Sequence, residues 1–513
     1  MSRERAYDGR GPRKSQRGAA LLLTLALMGL LVALFVVVLV NDLVRENTRR
    51  QQTAEALAKA KEALIGFAVG VNVNVTCGSS NCPRPGDLPC PDINDDGMAE
   101  TGCGGATGSN QQSRLGRLPW RTLGLPDLRD GDGERLWYAV SNNFKENTRT
   151  DCTGPSNAGC LNSSTPGTIT LSDRDGTIVH DGSDPNPPSG VIAVIIAPGA
   201  ILQRDGAGSP QVRSCTGGAC TPAGDTAGVC TSANPKLTAK CNPVNYLDVV
   251  SGGEDNADFI DGDSFNGFIN GPVLAGTREI VNDAVLAIKY EDVMPLLERR
   301  VAREAMNCLT AYANASEGRY PWAASVGDYA DGQYNDVQGR RFGRMPDTFS
   351  SSILGLISSG FLQSSIEDAC DDLIPPGLCM SNKWPTGGTP ACTLHRQWWT
   401  NWKEQVFYGV AEGYQPAVTI IGLFPTELGI PTPAGCSGDC LIVNPPSAAN
   451  DKRVVVVVAG KKLSGQSRAA GQQGTISNYL EGANATYDTV APTNFRFAQQ
   501  PATSTFNDYV LYQ

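Results

Sequence analysis

The chain has 513 residues with 42 Lys and Arg against 52 Asp and Glu, a formal net charge of -10. That length exceeds one ordinary core and predicts two modules, and the acidic balance excludes a nucleic-acid backbone as the main partner of the whole chain. With 57 Gly and 33 Pro but only 7% aromatic residues, short strands and long loops are expected outside a few helices, an α+β composition.

The first eighteen residues carry Arg3, Arg5, Arg10, Arg13, Lys14 and Arg17 against Glu4 and Asp8, the pattern of a cytoplasmic-side leader over residues 1–18. Ala19 to Val40 is then free of charge for 22 residues. As a helix rising about 1.5 Å per residue it matches a hydrocarbon core of about 30 Å, so a membrane span is expected over 19–40. No small-residue cleavage site follows it. The polar run 41–52 continues without Pro or Gly into Ala54, Leu57, Lys61, Leu64 and Ala68 at amphipathic spacing, which predicts one uninterrupted helix to about residue 70.

Sixteen cysteines follow, many in local pairs such as Cys77/Cys82, Cys90/Cys103, Cys215/Cys220 and Cys436/Cys440, and none in a CxxC spacing. This is disulfide usage and places most of the chain in an oxidising compartment, though spacing does not fix the connectivity. Ten cysteines lie before Val250 and six from Cys308 onward, so each half can pair within itself.

Several words occur twice in the same order. Gly116-Arg117-Leu118-Pro119 returns as Gly343-Arg344-Met345-Pro346, and Leu136 to Val140 is echoed by Val406 to Val410. The apolar run Val191 to Ala197 is echoed by Val454 to Ala459. Tyr246-Leu247-Asp248 matches Tyr479-Leu480-Glu481, and Asn282-Asp283 matches Asn507-Asp508. A tandem duplication is expected, with β-rich heads over 71–290 and 291–513 joined near Glu291. Val293, Leu297, Val301, Ala305, Leu309 and Tyr312 give the second head a soluble amphipathic helix of its own.

Gln16-Arg17-Gly18 followed by Ala19-Ala20-Leu21-Leu22-Leu23-Thr24, with an apolar span fused to an amphipathic helix, resembles the type IV pilin and type II secretion pseudopilin family. The resemblance implies a pilin-like fold, prepilin-peptidase cleavage after Gly18, and methylation of the new terminus Ala19. It implies partners in the peptidase and in other pilins met through the N-terminal helix. It also implies an inner-membrane, single-pass location with the heads periplasmic, then a place at a filament tip or the cell surface. Shaft pilins usually carry Glu five residues after the cut, where this chain has Leu23; large K-type pseudopilins and some minor pilins share that departure. The heads also resemble those of large prepilin-like bacterial proteins at Gly116 to Trp120, Arg135 to Val140 and Gly465 to Arg468. The expected role is a minor subunit that primes or caps a type IV pilus or type II secretion filament. The alternatives are a tip adhesin or substrate-binding subunit, and a membrane-anchored periplasmic protein unrelated to filaments.

For chemistry, Asp92-x-Asn94-x-Asp96-Gly97 has the alternating oxygen ligands of a calcium loop, with Glu100 at position nine but Cys103 where the closing Glu belongs. The alternatives are calcium held by Asp92, Asn94, Asp96 and Glu100, and a solvated Asx turn. K-type pseudopilins are similar in carrying calcium in their heads. His180 and His395 sit in no triad or ligand pattern, no nucleotide-binding or nucleophile-elbow motif occurs, and no enzyme activity or organic cofactor is expected. Trp398, Trp399 and Trp402 form an aromatic cluster that either stacks on a ligand or fills a core.

Overall fold

The computed structural model describes residues 17–77, 82–104, 114–147, 152, 159–183, 189–206, 210–211, 213, 242–258, 267–316, 318–327, 334–337, 339–347, 349, 384–385, 391–416, 435–436, 438, 440–486 and 495–513. The fold is α+β. Helix α1 runs unbroken over Arg17–Gly70, 54 residues, since no Pro or Gly pair interrupts a sequence rich in Leu, Ala and Lys. Its two halves differ in what they touch. From Leu21 to Val37 every side chain is exposed, whereas Ala56, Leu57, Ala60, Leu64 and Ala68, spaced one turn apart, are buried.

The buried half of α1 lies on a four-stranded antiparallel sheet. Its strands β1 (Leu115–Arg117), β2 (Trp137–Val140), β5 (Ala193–Ala197) and β9 (Ala284–Ile288) stand in the order β1-β2-β5-β9. A small sheet of β4 (Ile178–His180), β3 (Thr170–Ser172) and β6 (Gly267–Ile269), with β3 and β6 parallel, covers the other face. Strand periodicity divides β5 between the two layers: Ala193, Ile195 and Ala197 join the core under α1, and Val194 and Ile196 join Ile169, Leu171 and Phe268. A ribbon of β7 (Val273–Ala275) and β8 (Arg278–Val281) precedes β9.

The same arrangement then recurs. Helix α2 (Tyr290–Ala315) packs on a sheet of β10 (Phe342–Arg344), β11 (Val406–Val410), β14 (Val454–Val458) and β16 (Tyr509–Tyr512), in the order β10-β11-β14-β16. Its companion sheet is β13 (Asn450–Lys452), β12 (Leu441–Val443) and β15 (Arg496–Phe497), with β12 and β15 parallel. Register is repeated too: Gly116 pairs with Tyr138 as Gly343 pairs with Tyr408. The Tyr138 hydroxyl donates to the Pro89 carbonyl and the Tyr408 hydroxyl to that of Pro321.

The Gly-Arg-x-Pro words have a steric reason. In each sheet an incoming segment pairs with the edge strand, Asp92 with Arg117 and Ala324 with Arg344. A Cβ on Gly116 would sit 2.8 Å from the Asp92 carbonyl oxygen, and one on Gly343 would collide with that of Ala324. Only glycine admits so close a backbone approach.

The modules share one continuous core through α1, α2 and both main sheets. The segment 159–165 of the first module is held by the second. Leu161 N–H donates to the Asn401 side chain at 3.0 Å, the Ser163 hydroxyl to the Ala459 carbonyl at 2.7 Å, and Arg468 to the Ser164 hydroxyl at 2.7 Å. Arg84, fully buried, pairs with Asp87 at 2.8 Å and also reaches the Gly159 carbonyl and the side chain of Asn401. Disulfides join Cys77–Cys82, Cys90–Cys103, Cys152–Cys160, Cys308–Cys392 and Cys436–Cys440, each within its own half of the chain. The Cys215/Cys220 pair lies outside the described residues.

The helix ends are matched by a pair of glycines. Gly86 (φ 101) donates its N–H to the Ala68 carbonyl at 3.0 Å, and Gly318 (φ 84) donates to that of Ala313 at 2.8 Å. Two residues on, Leu88 and Tyr320 donate to the carbonyls of Phe144 and Tyr414. At Gly86 an added Cβ would lie 2.7 Å from Leu161 Cδ2 and 2.9 Å from Leu297 Cδ1, in a backbone region that L residues disfavour. Gly86→Ala should therefore destabilise the chain by about 2 kcal/mol, from strain and overpacking together, read as a lowered denaturation midpoint with an unchanged slope.

Candidate functional site

Three groups of residues drew functional expectations, and the structure places them far apart in character. Gly18 and Ala19 both lie in the first turns of α1. Downstream, Leu23 is 71% exposed, and Leu27, Met28, Leu31 and Phe35 are likewise bare. This described run, Leu21 to Val37, is about 25 Å long at about 1.5 Å per residue. Among the described residues no helix is long and apolar enough to cross a membrane. The head first touches α1 higher up. Gln52 donates to the Asp130 carbonyl at 3.0 Å, the Gly131 N–H donates to the Thr53 hydroxyl at 2.9 Å, and Arg49 faces Asp132 at 3.4 Å.

The Asp92 loop is gathered by its own backbone. Asp92 accepts from the Asp96 N–H at 3.2 Å and the Gly97 N–H at 2.7 Å, Asn94 accepts from Asp96 N–H at 3.0 Å, and Asp96 accepts from Met98 N–H at 2.7 Å. Asp95 adopts positive φ and pairs with Arg135 at 2.6 Å. These are Asx-turn contacts. Burial, opposed by the Gly97 N–H and reinforced by Asp95 and Asp96, pushes the Asp92 carboxyl up to about 6; burial also raises Glu100. Among the described residues no group of three or more His, Cys, Asp or Glu is placed to hold a metal ion.

The aromatic cluster is a core feature. Trp398, Trp399 and Trp402 are all buried; Trp398 donates to the Thr393 carbonyl at 3.0 Å, and Trp399 donates to Asp347 at 2.7 Å. Their neighbour Asn401 carries the contacts to segment 159–165, so this stretch joins the modules and offers no open stacking surface. His180 lies near the Ser189 carbonyl at 3.2 Å, and His395 is exposed, its pKa lowered by partial burial and then by Arg396.

Two buried polar clusters, one per module, have no counterpart among the sequence expectations. In the first, Asp283 accepts from the Asp248 N–H at 2.7 Å and from Asn256 Nδ2 at 2.8 Å, while Asp248 accepts from the Asn282 N–H at 2.9 Å. In the second, Asp508 accepts from the Glu481 N–H and from Asn484 Nδ2, both at 3.0 Å, while Glu481 accepts from the Asn507 N–H at 3.0 Å. An arginine seals each cluster. Arg213 donates to the carbonyls of Gly199 and Asn245 and lies over the Tyr246 ring; Arg468 donates to those of Gly460 and Asn478 and lies over the Tyr479 ring. Arg117 and Arg344 also stack here, over Trp137 and Tyr246 and over Phe407 and Tyr479. The signal was present in the repeated Tyr-Leu-Asp/Glu and Asn-Asp words and in Gln211-x-Arg213, which matches Gln466-x-Arg468.

Burial raises Asp283 and Asp508 well above the usual carboxylate range, and the facing Asp248 and Glu481 raise them further. Burial pushes Asp248 up to about 6 and Glu298, under Tyr290 at the module junction, up to about 8. With these groups closed off from solvent, the clusters tie the entry to the last strand of each module to an earlier loop, around Asp248 to Asn256 in the first and Glu481 to Asn484 in the second.

No protein-family model, curated protein or solved structure matches this chain.

A pH dependence follows. Carboxyls whose folded pKa exceeds the unfolded value, near 4, contribute stability that is complete below about pH 4 and is lost as pH rises through the folded values. For Asp92 and Asp248 that loss begins near pH 4 and is complete near 6, and for Glu298 it is complete near 8. The melting temperature should therefore be higher at pH 5 than at pH 8.5, and Asp283→Asn should flatten the difference; thermal melts across that range check both.

Proposed function

We propose that the chain is a minor pilin or pseudopilin subunit, with a pilin-like fold, that primes or caps the tip of a type IV pilus or type II secretion filament. The observation that carries this reading is the division of α1. Its upper half is gripped by the first head from Arg49 onward, and its lower half, Leu21 to Val37, is apolar and exposed among the described residues. So large a bare apolar surface needs either lipid or other helices around it.

The chain would be made with its basic leader on the cytoplasmic side and its heads in the periplasm, held in the inner membrane by residues 19–40. Prepilin peptidase would cut between Gly18 and Ala19, leaving the apolar half attached and free to pack with the helices of other pilins. Leu23, in place of an acid, adds no desolvation cost in either surrounding. The disulfides fit an oxidising compartment. The tryptophans that suggested ligand stacking are buried and so lend the adhesin alternative no support. Calcium at Asp92, Asn94, Asp96 and Glu100 is a lesser proposal that rests on ligand spacing alone; titrating calcium against the melting temperature tests it.

The protein recovered from cells should begin at a methylated Ala19. Gly18→Ala should leave the leader attached and block entry into filaments without preventing membrane insertion, read by N-terminal sequencing and mass spectrometry of membrane and filament fractions. Recovery of chains that begin at Met1, or past Val40, would remove the proposal.

A further inference from the structure

The two helices are displaced from one another in a way that neither module reveals alone. The matched glycines make Ala68 of α1 the counterpart of Ala313 of α2, 245 residues later. Side by side, however, Lys61 meets Asp292 at 2.7 Å and Arg300 donates to the Val69 carbonyl, and each of these pairs is 231 residues apart. Both contacts advance in the same sense along the two helices, so α1 and α2 run parallel. The two spacings differ by 14 residues, which moves the second module about 21 Å along α1, away from its apolar half, at about 1.5 Å per residue.

Specific side chains fix this shift. Lys61 also donates to the Ala287 carbonyl at 3.0 Å, and Arg300 reaches the carbonyls of Val69, in the last turn of α1, and of Val71, just past its end. Glu304 stands 3.8 Å from Arg300. Lys61, Ile65 and Val69 are each one turn apart and form the row that faces α2. Helices packed in parallel and translated along a common axis are also what successive identical units of a helical filament must present, because a screw operation combines rotation with translation.

We infer that α2 stands in, within one chain, for the helix of a neighbouring subunit along the last turns of α1, so that the helices of sister subunits join only the apolar half. This rests on the filament reading above. The second head then fills the space above the first, and the chain accepts neighbours only from below.

A photo-crosslinking residue placed at Leu31 or at Ile65 of the full chain, expressed where filaments assemble, tests the inference. At Leu31 the expected product is intermolecular, joined to the apolar helix of another subunit. At Ile65 the expected product keeps the mass of a single chain, with the link mapping to α2 peptides around Asp292 to Leu297, even in assembled material. Val69 serves as a second position on the same row should Ile65 disturb packing, with a melting curve as the folding control. Links from Ile65 or Val69 to another chain would overturn the inference while leaving the filament reading intact. If Leu31 gives no intermolecular product while Ile65 links to α2, the filament reading fails and the claim about sister helices fails with it.

Discussion

A four-stranded sheet whose central strand is buried on both faces cannot stand without two coverings, and this requirement organises the chain. Strands β5 and β14 expose no residue on either side. Each buried Val or Ile contributes roughly 1.5–3 kcal/mol only while both layers stay in place. In each module the inner layer is a helix and the outer layer a small mixed sheet. The first module draws its helix from the N-terminus, and the second draws it from the segment that directly follows the last strand of the first.

That economy of elements explains why α1 has two characters. Sheet coverage needs only its final turns, so the exposed run Leu21 to Val37 is left to serve another surrounding. It also explains why the modules fuse into one core. Helix α2 starts immediately after β9, which leaves no linker to separate the heads, and the buried contacts of Arg84, Asn401 and Ser163 close the gap. The tryptophan cluster belongs to this seam.

Much of the fold was legible in the sequence because the duplication repeats the residues that geometry constrains most tightly. Gly116 and Gly343 recur because a backbone carbonyl occupies the space of a Cβ, and Asn282-Asp283 and Asn507-Asp508 recur because each closes a buried acid cluster. The unbroken α1 was also readable from its spacing, and disulfide usage from the cysteine count, whereas the pairings Cys77–Cys82 and Cys90–Cys103 come from the structure. The axial shift between modules was not. It depends on Lys61, Asp292 and Arg300, single charged residues whose pairing is set by tertiary distance and which look like ordinary helix surface in one dimension. The Asp92 loop stays open to two readings for a related reason: alternating oxygens suit a cation and an Asx turn equally, and spacing alone does not separate the two.

The joint core can be tested directly by hydrogen exchange of the full-length chain in detergent, followed peptide by peptide. Because both sheets and both helices belong to one cluster, amides of β2 and β5 and those of β11 and β14 should open with the same, largest free energy and respond together to added denaturant. Protection that collapses in one set of strands while the other remains closed would show two independent heads and contradict the shared core.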